Sequence, residues 1–180
     1  TGQDEQVARI AAALDDIQAA TGLDVPIHVD GASGAFIAPF LQPEIEWDFR
    51  VARVHSINTS GHKYGLVYPG VGWIVWRTVE HLPEDLVLSV SYLGGDMPTF
   101  ALNFSRPGAQ IVAQYFTFLR LGREGYRRVQ QGCRDNALFL SSQIAALGPF
   151  ELISEGGELP VFAFRLRDKH PGTYTLFYVS

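Results

Sequence analysis

Twice along the chain a short apolar run breaks into a cluster of small residues. Residues 25–30 end on Asp30 and lead into Gly31-Ala32-Ser33-Gly34. Residues 54–58 lead into Thr59-Ser60-Gly61 and then His62-Lys63-Tyr64-Gly65. A strand that runs into a tight loop of small residues is a unit of open α/β sheets, where ligands gather beyond the carboxyl ends of strands. Small residues there let a flat ligand or a phosphate come close to the backbone.

The rest of the pattern agrees with a sheet and helices. Residues 4–20 read as an amphipathic helix, with Val7, Ile10, Leu14 and Ile17 at helical spacing and Gly22 at the C-terminal cap position. Residues 71–76 are a near-continuous apolar strand, as expected when both faces are covered. Residues 86–92 alternate more and suit an edge or hairpin strand, with Gly94-Gly95-Asp96 as a turn. Pro107 stands at the first turn of a helical region that runs to about residue 147, read as two helices meeting near Gly122-Arg123. Residues 150–154 and 160–166 read as two further strands. The order predicts an α/β protein with a sheet covered on both sides, followed by the start of an α+β unit. The boundary falls near Leu147-Gly148-Pro149.

Composition removes several function classes. The chain has 180 residues, 47% of them hydrophobic, enough for a real core. Its net charge of −5 argues against a nucleic-acid partner. Arg120, Arg123, Arg127 and Arg128 read as the solvated side of a helix. A single cysteine, Cys133, rules out an internal disulfide and suits a reducing compartment, with the thiol as a small buried hydrophobe. His55 and His81 have no carboxylate or cysteine at ligand spacing, so no metal site is expected. No leader pattern opens the chain, and the apolar run 66–76 is too short to span a bilayer. A soluble cytoplasmic protein with no membrane partner is expected. Both ends read as cut, since the chain opens on Thr1-Gly2 and stops within an amphipathic stretch.

Two residues carry chemistry at the loops. The chain has 14 basic residues but only two lysines, Lys63 and Lys169. Lys169 lies in a polar turn, whereas Lys63 lies between Gly61 and Gly65 beside predicted strands. A lysine near apolar surroundings loses its proton more easily and becomes a nucleophile for imine chemistry. By itself Lys63 reads first as a surface lysine whose stem packs on its neighbours. Asp30 by itself reads as a turn or cap residue. As a pair they match the needs of pyridoxal 5′-phosphate (PLP), which takes a lysine for attachment and an acid beside its ring nitrogen. His28 reads as a strand histidine with a satisfied hydrogen bond. Glu44, Glu46 and Asp48 read as solvated.

The stretches His28-Val29-Asp30-Gly31-Ala32-Ser33-Gly34 and Ser56-Ile57-Asn58-Thr59-Ser60-Gly61-His62-Lys63-Tyr64-Gly65 resemble the PLP-dependent decarboxylases, and among them the bacterial and plant glutamate decarboxylases. Trp47-Asp48-Phe49-Arg50, Tyr92-Leu93-Gly94-Gly95, Asn103-Phe104-Ser105 and the segment from Leu119 to Tyr126 look like the same family, in order. The resemblance covers essentially the whole chain. It implies a carboxy-lyase of α/β fold, the PLP-dependent transferase-like fold type I. Residues 1–147 would be part of the PLP-binding large domain, its second half. Residues 148–180 would be the start of the small C-terminal α+β domain, truncated here. It also implies glutamate as substrate, and a homodimer or higher oligomer.

By resemblance, Lys63 carries the cofactor, Asp30 pairs with the pyridine nitrogen and Ala32 packs on one ring face. Ser60 and His62 help bind the phosphate. Phe104 and Ser105 reach toward the neighbouring subunit's site, and Tyr92 matches a mobile segment near the site. Gly31 stands where the family commonly has alanine, a departure expected to be mild. Ser91 stands where an Asn or Asp is common, so no role is carried to it. Other phosphate-binding residues of the family fall before Thr1, and a supporting arginine falls after Ser180. Two other readings stay open: a PLP enzyme for a different amino acid, a decarboxylase or an aminotransferase, and an inactive truncated chain that serves only as a dimer partner.

Overall fold

The computed structural model describes residues 3–92, 94–99, 105–167 and 177–179. Helix α1 (Val7–Thr21) is followed by β1 (Ile27–Asp30), a single 3-10 turn (Gly34–Phe36) and the short α2 (Ala38–Leu41). Strands β2 (Val54–Ser60) and β3 (Gly72–Trp76) complete a first sheet, and β4 (Leu88–Tyr92) and β5 (Gly95–Thr99) form a hairpin. The long α3 (Ala109–Ala146) leads to β6 (Phe150–Ser154), β7 (Phe162–Leu166) and β8 (Phe177–Val179). These last three form an antiparallel sheet in the order β6-β7-β8.

α1 starts at Val7 rather than at residue 4, and residues 3–5 line a cavity described below. The buried face is Val7 and Ala11, packed on Val51, Val54 and Ile57 of the first core. Ile10 and Ile17, expected to face inward, are each 44% exposed. Gly22 caps the helix in the left-handed conformation, φ 76°, and its N–H bonds to Gln18 O. Arg53 then ties α1 to the sheet. Its guanidinium reaches Asp15 at 2.6 Å, Asp24 at 2.9 Å and the Val25 carbonyl at 3.1 Å, and also meets Gln18.

β1 and β2 run parallel, with Asp30 opposite Asn58, and β3 is antiparallel to β2. β3 departs from expectation: Trp73, Ile74 and Val75 are 36%, 44% and 49% exposed. Its apolar run reads as a covered strand, but the described residues cover it only in part, with the Phe118 ring 6.3 Å from that of Trp73.

α3 is two helical segments joined at Gly122, whose φ 56° and ψ −171° are not helical. The break falls where the sequence predicted two helices to meet. Pro107 lies two residues before the first helical residue and not inside the first turn. The Arg120, Arg123, Arg127 and Arg128 face is exposed, as expected for a solvated side. Aromatic rings of the 3-10 turn, α2 and α3 interleave: Tyr126 stacks on Phe36 and Phe40 at 5.9 and 5.2 Å between centroids. The second core joins Ala137 and Ile144 of α3 to Phe150, Leu152, Phe162 and Phe164 of the last sheet. Cys133 is half-buried rather than fully so. No described helix is long and apolar enough to cross a membrane.

Candidate functional site

Parallel pairing sends the carboxyl ends of β1 and β2 to the same sheet edge, so their loops meet there. The Ser60 N–H donates to the Ala32 carbonyl at 3.2 Å and stitches the two loops together. A cavity of about 480 Å³ opens at this edge, and Asp30, Ala32 and Lys63 all line it, with His28 beside them. Three of the residues chosen from sequence are thus brought together.

Asp30 ends β1 on the exposed side of an alternating strand, the side shared with His28. The Ala32 N–H donates to Asp30 Oδ1 at 3.1 Å. That bond and one from the Asn58 side chain hold the Asp30 carboxyl below its ordinary range, and Lys63 and His28 add to the effect. Asp30 is therefore a stable anion. His28 shares a 2.8 Å hydrogen bond with Ser56 Oγ, which satisfies it as expected.

Lys63 is exposed, so the described residues do not supply the apolar surroundings read from its neighbours in sequence. Ser60 and His62 stand next to the cavity but not among its lining residues. Ser60 is half-buried at the end of β2 and His62 is exposed. Ser105 is exposed with a left-handed φ of 53°, while Phe104 lies outside the described residues. Tyr92 ends β4 opposite Gly95.

Gly31 is more constrained than expected. A Cβ there would lie 2.7 Å from Ala35 Cβ and 2.9 Å from the Asn58 carbonyl oxygen. An alanine at this position is therefore not a mild change in this chain.

Sequence reasoning missed the residues that hold the lysine loop. Gln114 and Gln130 of α3 are both 0% exposed and Tyr126 is 2% exposed. Gln114 Nε2 and Tyr126 Oη each donate to the Gly65 carbonyl, at 2.8 and 2.9 Å. Gln130 Nε2 donates to the Tyr64 carbonyl at 2.8 Å. The available signal was polar residues at positions where a helix packs inward, a pattern that calls for hydrogen-bond partners.

The far wall of the cavity includes Asp4, whose N–H donates to Glu158 Oε2 at 2.7 Å. Burial pushes the Asp4 carboxyl above its ordinary range, and the nearby Glu158 adds to the shift. Elsewhere, the rings of His55 and His81 lie 3.8 Å apart. Among the described residues no group of three or more His, Cys, Asp and Glu gathers in metal-binding geometry.

The chain is similar to known proteins in sequence and in structure. A family model described as "Pyridoxal-dependent decarboxylase conserved domain" matches residues 2–167. The chain is 56% identical over 181 residues to glutamate decarboxylase of Aliivibrio fischeri, covering 100% of this chain and 39% of that protein. It is 52% identical to glutamate decarboxylase 5 of Arabidopsis thaliana, covering 100% of this chain and 36% of that protein. Among solved structures, glutamate decarboxylase of Lactobacillus brevis superposes with a TM-score of 0.87 at 48% identity, over 97% of this chain and 40% of that one. A sphingosine-1-phosphate lyase of Burkholderia pseudomallei superposes with a TM-score of 0.70 at 26% identity, over 92% of this chain and 37% of that one. The chain thus spans about two fifths of the length of the relatives it matches.

Proposed function

The chain belongs to the pyridoxal-dependent decarboxylase family and has its α/β, fold type I architecture, and from that membership we propose that the whole protein decarboxylates L-glutamate to γ-aminobutyrate and CO2. The observation that carries the proposal is the shared cavity edge, where one ionised carboxylate and one lysine face the same space. Similarity to glutamate decarboxylases at 56% and 52% identity selects the substrate.

The residues present fit PLP. A cavity of about 480 Å³ is in the range of small-molecule sites. The donor set is the right one, since Asp30 is held as an anion and Lys63 offers a primary amine. When bound, PLP supplies an electron sink for the bond broken at the substrate α-carbon. Asp30 holds a proton at the pyridine nitrogen, because a neighbouring carboxylate favours the protonated ring. Lys63 Nζ is the attachment point and the group placed to deliver or take a proton at the α-carbon. Ala32 presents a small surface against one ring face, and Ser60 and His62 contribute donors for the phosphate. Residues 1–147 serve as part of the PLP-binding domain, and residues 148–180 open the smaller C-terminal domain.

We place the whole protein in the cytoplasm as a homodimer or higher oligomer, with Phe104 and Ser105 directed at the neighbouring subunit's site, and with no membrane or nucleic-acid partner. The test is to add PLP, reduce with borohydride and map the modified lysine by mass spectrometry. Label on Lys63 and not on Lys169 supports the cofactor assignment. Equal label on both, or none, removes it. A product assay across amino acids, run on the whole protein and its Lys63→Ala variant, then tests substrate and role. Turnover that survives the substitution, or that prefers another amino acid, defeats the assignment.

A further inference from the structure

Lys63 sits on a loop whose shape is closed by two glycines. A Cβ on Gly65 would lie 2.6 Å from the Gly61 carbonyl oxygen and 2.7 Å from its Cα, so the loop folds Gly61 against Gly65 with Lys63 between them. Gln114 is wedged on this closure. A Cβ on Gly61 or on Gly65 would lie 2.5 or 2.9 Å from Gln114 Oε1. The other end of the same amide points at the Gly65 carbonyl and at the Tyr126 hydroxyl, 2.8 and 3.1 Å away. The orientation of the amide is decided by chemistry, since the reverse would set its oxygen against the Gly65 oxygen. Tyr126 Oη completes the group by donating to that carbonyl.

Both hydrogens of the Gln114 amide nitrogen are used, and the Gly65 carbonyl takes two donors. On a straight helix Gln114 and Tyr126, twelve residues apart, would be separated by about 18 Å along the axis. The break at Gly122 is what lets them share one carbonyl. On the other side of the loop Gln130 holds the Tyr64 carbonyl. The two residues that follow Lys63 are thus fastened through their backbone to side chains that are almost wholly buried.

We propose that Gln114 and Tyr126 are positioning residues for Lys63, fixing its loop so that the amine faces the cavity shared with Asp30. The inference rests on the assignment of Lys63 as the PLP lysine. Neither residue touches the cavity, and they act through the Gly65 carbonyl alone.

The test compares the unaltered protein with Tyr126→Phe, which keeps the ring stacked on Phe36 and Phe40 but removes the donor. PLP is added, borohydride traps are taken over time, and label on Lys63 is read against Lys169 in the same chain. The variant should trap Lys63 about fivefold more slowly relative to Lys169, the size of one lost hydrogen bond. A second readout needs no cofactor: acylation of Lys63 relative to Lys169 should change about twofold or more in the variant. A structural role alone would lower the unfolding midpoint and leave both ratios where they were, and that result overturns the proposal. Should Tyr126→Phe not fold, Gln114→Met, which removes the other donor to the Gly65 carbonyl, decides by the same two ratios. If the unaltered protein shows no preference for Lys63, the cofactor assignment fails first and this inference falls with it. Preferential label in the unaltered protein with unchanged ratios in the variants sinks the positioning role alone.

Discussion

Asp30 stands directly opposite Asn58 in the parallel ladder of β1 and β2, and the Asn58 side chain donates to its carboxylate. With the Ala32 N–H it holds Asp30 below the ordinary carboxylate range. The remaining Asn58 oxygen is buried and has no hydrogen-bond partner among the described residues. Asn58→Ala should move the Asp30 titration upward, toward the ordinary value. The sign for stability follows. A depressed carboxyl stabilises the fold above its unfolded pKa, and that contribution is lost as pH falls through the folded value. In the variant the contribution should be smaller and its loss should set in at higher pH. Carbon NMR of the Asp30 carboxyl across an acid titration checks this, and an unmoved midpoint rejects it.

Gly31→Ala should destabilise the chain by about 1–3 kcal/mol, because the added Cβ meets Ala35 Cβ at 2.7 Å and must push it away. Ala35→Gly removes one of the two obstacles, leaving the Asn58 carbonyl at 2.9 Å. The double variant should therefore recover part of the loss, seen in urea unfolding of all four proteins of the cycle. Additive effects would show that the two positions do not meet.

Gly122→Ala should cost about 1–3 kcal/mol, since φ 56° with ψ −171° belongs to a region that only glycine enters freely. Nothing lies within 4 Å of a Cβ placed there, so crowding does not contribute. The penalty is purely one of backbone conformation. Denaturant unfolding measures it, and a change within a few tenths would mean the break does not depend on glycine.

Arg53 bridges α1, the β1 approach and β2 with a side chain that is 10% exposed. Its partners Asp15 and Asp24 are 68% and 70% exposed, so their share of the bond is screened by solvent. Arg53→Met keeps the stem and removes the donors. Unfolding stability should fall, most of the loss coming from the Val25 carbonyl and Gln18 contacts left unmade. Raising salt should narrow the gap only slightly. A gap that closes at high salt would show that the exposed ion pairs carried it.

Local chemistry was enough to locate the two strand-to-loop units, the cap at Gly22 and the break near Gly122, and to single out Asp30 and Lys63, which line one cavity. Each depends on neighbours within a few residues, where spacing and small side chains leave a legible pattern. The burial of α1 was misjudged for a related reason. Val7, Ile10, Leu14 and Ile17 satisfy helical spacing, but the face that is buried runs through Val7 and Ala11, chosen by what Val51, Val54 and Ile57 present to it. β3 likewise has the composition of a covered strand and is exposed among the described residues. The hold on the lysine loop was decided by tertiary structure alone. Gln114, Tyr126 and Gln130 recognise backbone carbonyls of Gly65 and Tyr64, up to 66 residues away. Every residue has a carbonyl, so such a contact leaves no mark at the receiving end of the sequence, and only the folded chain shows which one is chosen.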